Sequence, residues 1–348
     1  MRALVLKENW KLAVEDVADP ELRPDEVMIE IVATGICGSD FHGFSGENGR
    51  RRPGQIMGHE TVGRIAAVGS AVREGLSVGA TATVNPVIGC GQCDSCAAGQ
   101  QPWCADKRVI GVDPTYRSAF AEKMAVPAAN VVLLPDSMPT EYGALIEPLS
   151  VGYHALNRGR CRSGDTVLVI GGGPIGQACV LAAQRLGART VAVSEMSASR
   201  RELVAGLGAV PVDPAGRTDL APAVTSALGA PPTVIVDAVG VQPTIATAFA
   251  CAPLGSSIVL VGMGSPELTL PAFEVSTKER SVVGSFCYTA DEFAETAEWA
   301  VTVPKSLGTL IDGRVDIDGA QEAFTHLAKG TSPAGKIIVL FDGSLTAG

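Results

Sequence analysis

The chain has 348 residues, 46% of them hydrophobic, and its 27 basic and 37 acidic side chains leave a net charge of −10. That length exceeds one ordinary core and predicts two domains, while the acidic balance, without a basic stripe, excludes nucleic acid and anionic membrane as natural partners. No run of about 18 apolar residues marks a membrane span, and Lys7 and Glu8 interrupt the short apolar start before a signal sequence can form, so a cytoplasmic location is expected.

In chain order, the first 150 residues read as short β-rich pieces at 3–6, 27–34, 60–68 and 80–84, broken by Gly and Pro. They predict a compact, irregular, barrel-like domain. From about Gly152 the pattern becomes apolar strands at 166–170, 190–194, 233–237, 257–261 and 281–284. Helical stretches at 174–186, 199–207 and 243–250 separate them, as in a parallel sheet covered by helices on both faces. Beyond Phe286 come helices near 290–303 and 318–329 and a last strand at 336–341. Periodicity alone leaves open whether this tail closes the sheet or returns to the first domain.

Directly after the strand 166–170 stands Gly171-Gly172-Gly173-Pro174-Ile175-Gly176, a GxGxxG turn that opens an apolar helix. Gly171 allows the tight turn, Gly173 lets backbone approach a pyrophosphate, Gly176 permits close helix packing, and the helix N-terminus with Pro174 and Ile175 offers amide groups to the anion. An ordinary glycine-rich loop is the plain alternative. The second strand runs into Glu195, where an acid bonds ribose hydroxyls and repels a 2′-phosphate, so NAD is favoured over NADP. Arg200 and Arg201 are the counter-indication, since a guanidinium there can meet a 2′-phosphate.

Cys90, Cys93, Cys96 and Cys104 form CxxCxxCx7C, and four thiolates on one loop suit a closed tetrahedral zinc that acts as a structural clip. Gly91 and Gly99 supply the turns that fold the sulfurs inward. With no export signal, free thiols on metal fit the cysteine clustering better than disulfides do. A second constellation is dispersed: Cys37 in Gly35-Ile36-Cys37-Gly38-Ser39-Asp40-Phe41-His42, His59 and Glu60 in Gly58-His59-Glu60, and Glu147 before Pro148. Each fragment alone reads as core filler or surface. Together, placed in Gly-rich turns beside a nucleotide motif, they suit a catalytic zinc with an exchangeable position. Such an ion lowers the pKa of bound water from about 15.7 to about 7, and a coordinated alcohol is expected to respond likewise.

With these motifs the chain resembles, over nearly its whole length, the zinc-dependent medium-chain alcohol and polyol dehydrogenases. The carriers are Gly58-His59-Glu60 followed by Gly63, Gly69 and Val72, the Cys90 to Cys104 lobe, Gly171 to Gly176, and Ser194-Glu195-Met196-Ser197-Ala198-Ser199-Arg200. Glu147-Pro148 is similar to the sorbitol dehydrogenase branch, where Glu stands in place of a ligand Cys. The resemblance implies an α/β fold: a GroES-like zinc catalytic domain from 1–150 and 287–348 around a Rossmann dinucleotide-binding domain, a doubly wound parallel sheet, at 151–286. It implies substrate in the cleft between them, with Cys37, His59 and Glu60 matching the zinc ligands and Glu147 either binding zinc or holding its water. It further implies a relay in which Ser39 takes the alcohol proton and passes it through the ribose hydroxyl to His42. Two zinc ions per chain, NAD, and a homo-oligomer, dimer or tetramer, follow by the same analogy.

Two departures bear on substrate. The polyol enzymes carry an Arg-Tyr pair where this chain has Phe286-Cys287-Tyr288, and commonly an aromatic where Gly43 follows His42. A roomier, less cationic pocket weakens a sorbitol assignment and leaves diols, sugar alcohols, sugars, cyclitols and threonine open. Phe41, Phe44, Tyr153, Phe286 and Tyr288 are candidate pocket residues, each with a plain core role as the alternative. Glu47, Arg50 and Arg51 lie in the loop before Pro53, where they either contact polar substrate groups or face water, and water is the favoured reading. The leading expectation is NAD-linked, zinc-dependent oxidation of a secondary hydroxyl of a small polyol, diol or sugar. Behind it stand a threonine or simple secondary-alcohol dehydrogenase, an NAD-binding structural protein of the same fold, and a zinc-ribbon module that the charge disfavours.

Overall fold

The computed structural model describes residues 1–47, 49–116, 118–331, 333–341 and 343. Two compact units emerge, Met1–Glu147 with Thr289–Gly348, and Pro148–Tyr288. Among the described residues no helix is long and apolar enough to cross a membrane.

In the first unit the chain opens with a hairpin of β1 (Arg2–Glu8) and β2 (Lys11–Asp16). β3 (Glu26–Gly35) leads into the short helix α1 (Gly38–Ser45), which carries Ser39, Asp40 and His42. β4 (Glu60–Val68) and β5 (Thr81–Val84) follow. The cysteine lobe lies between β6 (Val87–Ile88) and β7 (Arg108–Val109), holding the one-turn helix α2 (Asp94–Ala97). β8 (Lys123–Pro127) and β9 (Val131–Leu133) complete this stretch.

α3 (Ile146–Arg158) carries the chain from the first unit into the second, whose sheet is wholly parallel. Its elements are β10 (Thr166–Ile170), α4 (Pro174–Arg185), β11 (Thr190–Ser194), α5 (Ala198–Gly206), β12 (Val210–Val212), α6 (Ala221–Leu228), β13 (Val234–Asp237), α7 (Gln242–Cys251), β14 (Ser257–Leu260), α8 (Ala272–Thr277) and β15 (Ser281–Gly284). The strand order β12-β11-β10-β13-β14-β15 reverses direction at β10, the switch point at which doubly wound sheets receive ligands. All five residues of β10 are buried, because a central parallel strand is covered on both faces.

The tail returns to the first unit. It forms α9 (Ala290–Ala300), α10 (Pro304–Leu310), β16 (Ile311–Asp316), α11 (Ala320–Ala328) and β17 (Lys336–Leu340). β17 pairs antiparallel with β3, Leu340 opposite Ala33 and Ile338 opposite Gly35, and so settles what periodicity left open. The larger sheet runs β16-β17-β3-β4-β5-β9, with β8 also paired to β3. Phe44, Phe120 and Phe324, all fully buried, meet edge to face at 5.6 and 5.4 Å and anchor α1 and α11 to the β1 side of the core.

Candidate metal centres and dinucleotide site

The four sulfurs of Cys90, Cys93, Cys96 and Cys104 lie within 4.8 Å of one another. Cys90 Sγ and Cys96 Sγ are 4.0 Å apart, close to the roughly 3.8 Å separating thiolates that sit about 2.3 Å from a tetrahedral zinc. Gly91 and Gly99 take left-handed φ values of 76° and 69°, which turn the loop back on itself. Backbone N–H groups of Gln92 and Cys93 pull the Cys90 thiol down to about 7, and Cys96 is pushed up to about 11 by burial and its neighbouring sulfurs, against an opposing backbone bond from Gly91. All nine cysteines are free thiols, so the four sulfurs of the lobe are available as ligands.

The second constellation is assembled from three elements. Cys37 caps the N-terminus of α1, His59 directly precedes β4, and Glu60 is the first residue of β4. The expectation of ligands in Gly-rich turns is corrected here: Glu60 belongs to a strand and Glu147 to the first turn of α3. Candidate donor atoms of Cys37, His59 and Glu60 fall within 4.8 Å of one another, and Glu147, buried nearby, stands outside that group. Burial alone would lower the His59 pKa, but the charges of Asp40, Cys37 and Glu147 outweigh it and raise the imidazole to about 10. His59 Nδ1 and Glu60 Oε2 are buried without a hydrogen-bond partner, a state native structures rarely tolerate for its own sake. Sulfur, imidazole nitrogen and carboxylate oxygen with unspent bonding capacity fit a divalent zinc.

Three residues that the sequence left unremarked or misplaced surround these ligands. Asp40 Oδ2 accepts the Cys37 N–H at 3.2 Å, while its Oδ1 lies 3.6 Å from His59 Nδ1 and 3.4 Å from Arg51 Nη2. Lys336 Nζ donates to Glu60 Oε1 at 2.7 Å and to the Ile36 carbonyl at 3.2 Å. The spacing of Asp40, three residues after a helix-capping Cys37, was a usable signal; nothing local marks Lys336. Arg51 does not face water: its side chain is 1% exposed.

In the second unit, Gly171 adopts φ 95° and turns the chain from β10 into the Gly-rich segment. A Cβ on Gly176 would stand 1.8 Å from the Gly171 carbonyl oxygen, so the close approach there requires glycine. Gly173 is the N-cap of α4, with Pro174 in its first turn followed by Ile175. Glu195 is buried and accepts the Gly172 and Ser197 N–H groups, both at 2.7 Å. Arg200 approaches Gly173, its Nη1 lying 3.8 Å from where a Cβ would be. Arg201 is held instead by the Glu195 and Met196 carbonyls and by Asp213 at 2.9 Å.

Ser39 is half-buried on α1, and His42 Nδ1 lies 2.6 Å from Glu47 Oε2, so Glu47 has a partner other than water. Phe41 packs beside the His42 ring at 4.6 Å. Phe44 is core, not pocket: it is wholly buried against Trp10 and Phe324. In the second unit Tyr288 is fully buried, Phe286 is 44% exposed, and Tyr153 lies under the Arg185 guanidinium, 3.9 Å from its ring centre.

Residues 23–136 match the alcohol dehydrogenase GroES-like domain and residues 174–302 the zinc-binding dehydrogenase domain. Sorbitol dehydrogenase of Bacillus subtilis is 32% identical over 326 residues, 91% of this chain and 87% of that one. The chain belongs to the zinc-binding medium-chain dehydrogenases. Galactitol-1-phosphate dehydrogenase of Escherichia coli superposes on this dehydrogenase with a TM-score of 0.88 at 29% identity, covering 98% of this chain and all of that one. A zinc-binding dehydrogenase of Sinorhizobium meliloti 1021, solved with NADP, gives 0.87 at 30% identity over 98% and 99% of the two chains. This dehydrogenase is therefore an oxidoreductase whose cofactors are zinc and a nicotinamide nucleotide, with a GroES-like and a Rossmann domain.

Proposed function

We propose that this dehydrogenase oxidises a secondary hydroxyl of a small polyol, diol or sugar, reversibly, to the ketone, with NAD as the hydride acceptor. The observation that carries the reading is the cluster of half-buried Cys37 with buried His59 and Glu60, whose ligand atoms lie within 4.8 Å of one another and whose Glu60 Oε2 is buried with its bonding capacity unspent. Those three residues hold the catalytic zinc, Glu147 stands by as the alternative carboxylate, and the four cysteines of the lobe hold a second, structural ion. Bound there, zinc supplies Lewis acidity to an alcohol oxygen while the nicotinamide ring supplies the hydride-accepting carbon.

The chain's own residues supply the rest. Ser39, two residues past Cys37, receives the alcohol proton, and His42, half exposed and paired with Glu47, delivers it to solvent. Glu195, anchored by two backbone N–H groups, presents its remaining lone pairs to ribose hydroxyls and opposes a 2′-phosphate. Gly173, Pro174, Ile175 and Gly176 bring the α4 N-terminus to the pyrophosphate, with Arg200 beside it. Phe41 of the first unit, and Tyr153 and Phe286 of the second, are each proposed to contact substrate, whereas Tyr288, with no exposed surface, packs as core. The relatives named for sorbitol and galactitol-1-phosphate support a polyol class, while Cys287 in place of a cationic neighbour to Tyr288 argues against sorbitol itself.

The test is metal analysis joined to absorbance at the reduced nicotinamide band. Secondary alcohols, 2,3-butanediol, sorbitol, galactitol, inositols and threonine are offered with NAD and, in parallel, NADP. Two zinc ions per chain and turnover with a polyol or diol are expected. Turnover confined to threonine, or one zinc with no turnover, overturns the proposal.

A further inference from the structure

Arg51 sits in the loop between α1 and β4 with its side chain almost wholly enclosed. Its Nε and Nη1 have no hydrogen-bond partner among the described residues, so its own bonding does not explain its burial. Among the described residues its partner is Asp40, also fully buried, at 3.4 Å. That same carboxylate reaches two proposed zinc ligands at once: Oδ2 holds the Cys37 N–H and Oδ1 faces His59 Nδ1. With Nδ1 turned to Asp40, Nε2 is the nitrogen left for the ion. A buried carboxylate keeps such a position only when its charge is met, and Arg51 is a fixed, always-protonated cation.

The backbone is cut to admit this side chain. A Cβ on Gly43 would lie 2.3 Å from Arg51 Cγ and 3.3 Å from Nε. The arginine stem fills the space beside Gly43, so the missing side chain there does not simply widen a substrate pocket.

We propose that Arg51 is a positioning residue of the catalytic metal centre: it locks Asp40, which orients Cys37 and His59, and thereby sets how tightly the ion is held. This rests on the zinc assignment above. Gly43 is its structural partner, present because the guanidinium must pass.

The experiment compares wild type, Arg51→Met, Arg51→Lys, Gly43→Ala and the Gly43→Ala/Arg51→Met pair as full-length proteins. Zinc affinity is measured by chelator competition, and the cobalt(II)-substituted forms are read by their thiolate charge-transfer and d–d bands. Arg51→Met is expected to weaken the catalytic ion by about tenfold or more and to alter the cobalt spectrum, as loss of outer-shell support does, while the cysteine-lobe ion is retained. Arg51→Lys, which keeps the charge on a shorter, non-planar head, should fall between, and serves if Arg51→Met does not fold. Gly43→Ala should loosen the metal in the wild-type background and have little further effect once Arg51 is gone. Unchanged metal affinity and cobalt spectrum in Arg51→Met, or in Arg51→Lys should only that fold, overturn the proposal. A wild-type protein binding one ion only overturns the zinc assignment instead.

Discussion

Lys336 Nζ donates a 2.7 Å hydrogen bond to Glu60 Oε1 across 276 positions of sequence, with both side chains buried. Pairing of β17 with β3 brings the lysine there, so the C-terminal strand delivers a counter-ion to the proposed metal ligand. Lys336→Met is expected to destabilise the protein by about 3–5 kcal/mol, because the Glu60 carboxylate loses its cation without gaining water. A Lys336→Met/Glu60→Gln pair should recover much of that loss, as the double-mutant cycle in denaturant unfolding would record. Burial alone would lower the Lys336 pKa, but Glu60 and Cys37 outweigh it and raise it above 10.5. The stabilisation is thus fully present below the ordinary lysine value and is lost only as pH climbs through the raised one. Between wild type and Lys336→Met the stability difference should stay flat across neutral pH and shrink only in strong alkali.

Cys37→Ser should abolish turnover and lower the metal content by one ion per chain. The fold should survive, since the cysteine lobe is a separate cluster and Cys37 itself is only partly buried at the N-cap of α1. Elemental analysis and circular dichroism check this together; retained turnover would remove Cys37 from the site.

Much of this architecture was legible because strands buried on both faces announce themselves, and Thr166–Ile170 and Thr190–Ser194 stand where the apolar runs placed them. Glu60–Val68 and the edge strand Ser281–Gly284, less buried, also stand where the sequence placed them. β12 was not legible: Val210–Val212 is three residues with a proline inside, tolerable only at the sheet edge it occupies. α1 was missed for a different reason, since Gly38 and Gly43 are poor helix formers and the helix is held by Phe44 in the core. Cysteine, histidine and glutamate advertise their chemistry by type. Arg51 and Lys336 do not, because cations in a single sequence read as solvated surface, and only tertiary pairing shows them facing buried carboxylates.

Cys93→Ser should lower the melting temperature and solubility with the catalytic cluster intact, because a structural zinc contributes folding free energy. Calorimetry of wild type and variant, each with and without chelator, checks it; chelation should cost the wild type more than the variant. The lobe should also release its ion on acidification. Cys90 is held near 7, below the ordinary thiol value of 9.0, so the favourable bonds to its thiolate are fully present above 9.0 and fade as pH falls through about 7. Zinc uptake must expel the protons still on the other sulfurs, Cys96 above all at about 11, and a weakly buffered solution should acidify as the ion is added.

Glu195→Ala should erode the preference for NAD over NADP. In the protein as it stands Glu195 has two tasks, accepting the Gly172 N–H with one oxygen and the Ser197 N–H with the other. The carboxylate therefore ties the glycine turn to the start of α5, and in the proposed cofactor site it sets negative charge against a 2′-phosphate. Removing it deletes the repulsion and leaves Arg200, beside Gly173, and Arg201, held by Asp213 and two backbone carbonyls, as the cations of this turn. Because the turn loses its anchor as well, kcat/KM for NAD should fall while that for NADP falls less or rises. Glu195→Gln separates the two effects, since its amide oxygen still accepts one backbone N–H but carries no charge. A shift in the NADP to NAD ratio of kcat/KM for both variants places the discrimination in the charge, a shift for Glu195→Ala alone places it in the anchoring of the turn, and no shift in either removes Glu195 from cofactor choice.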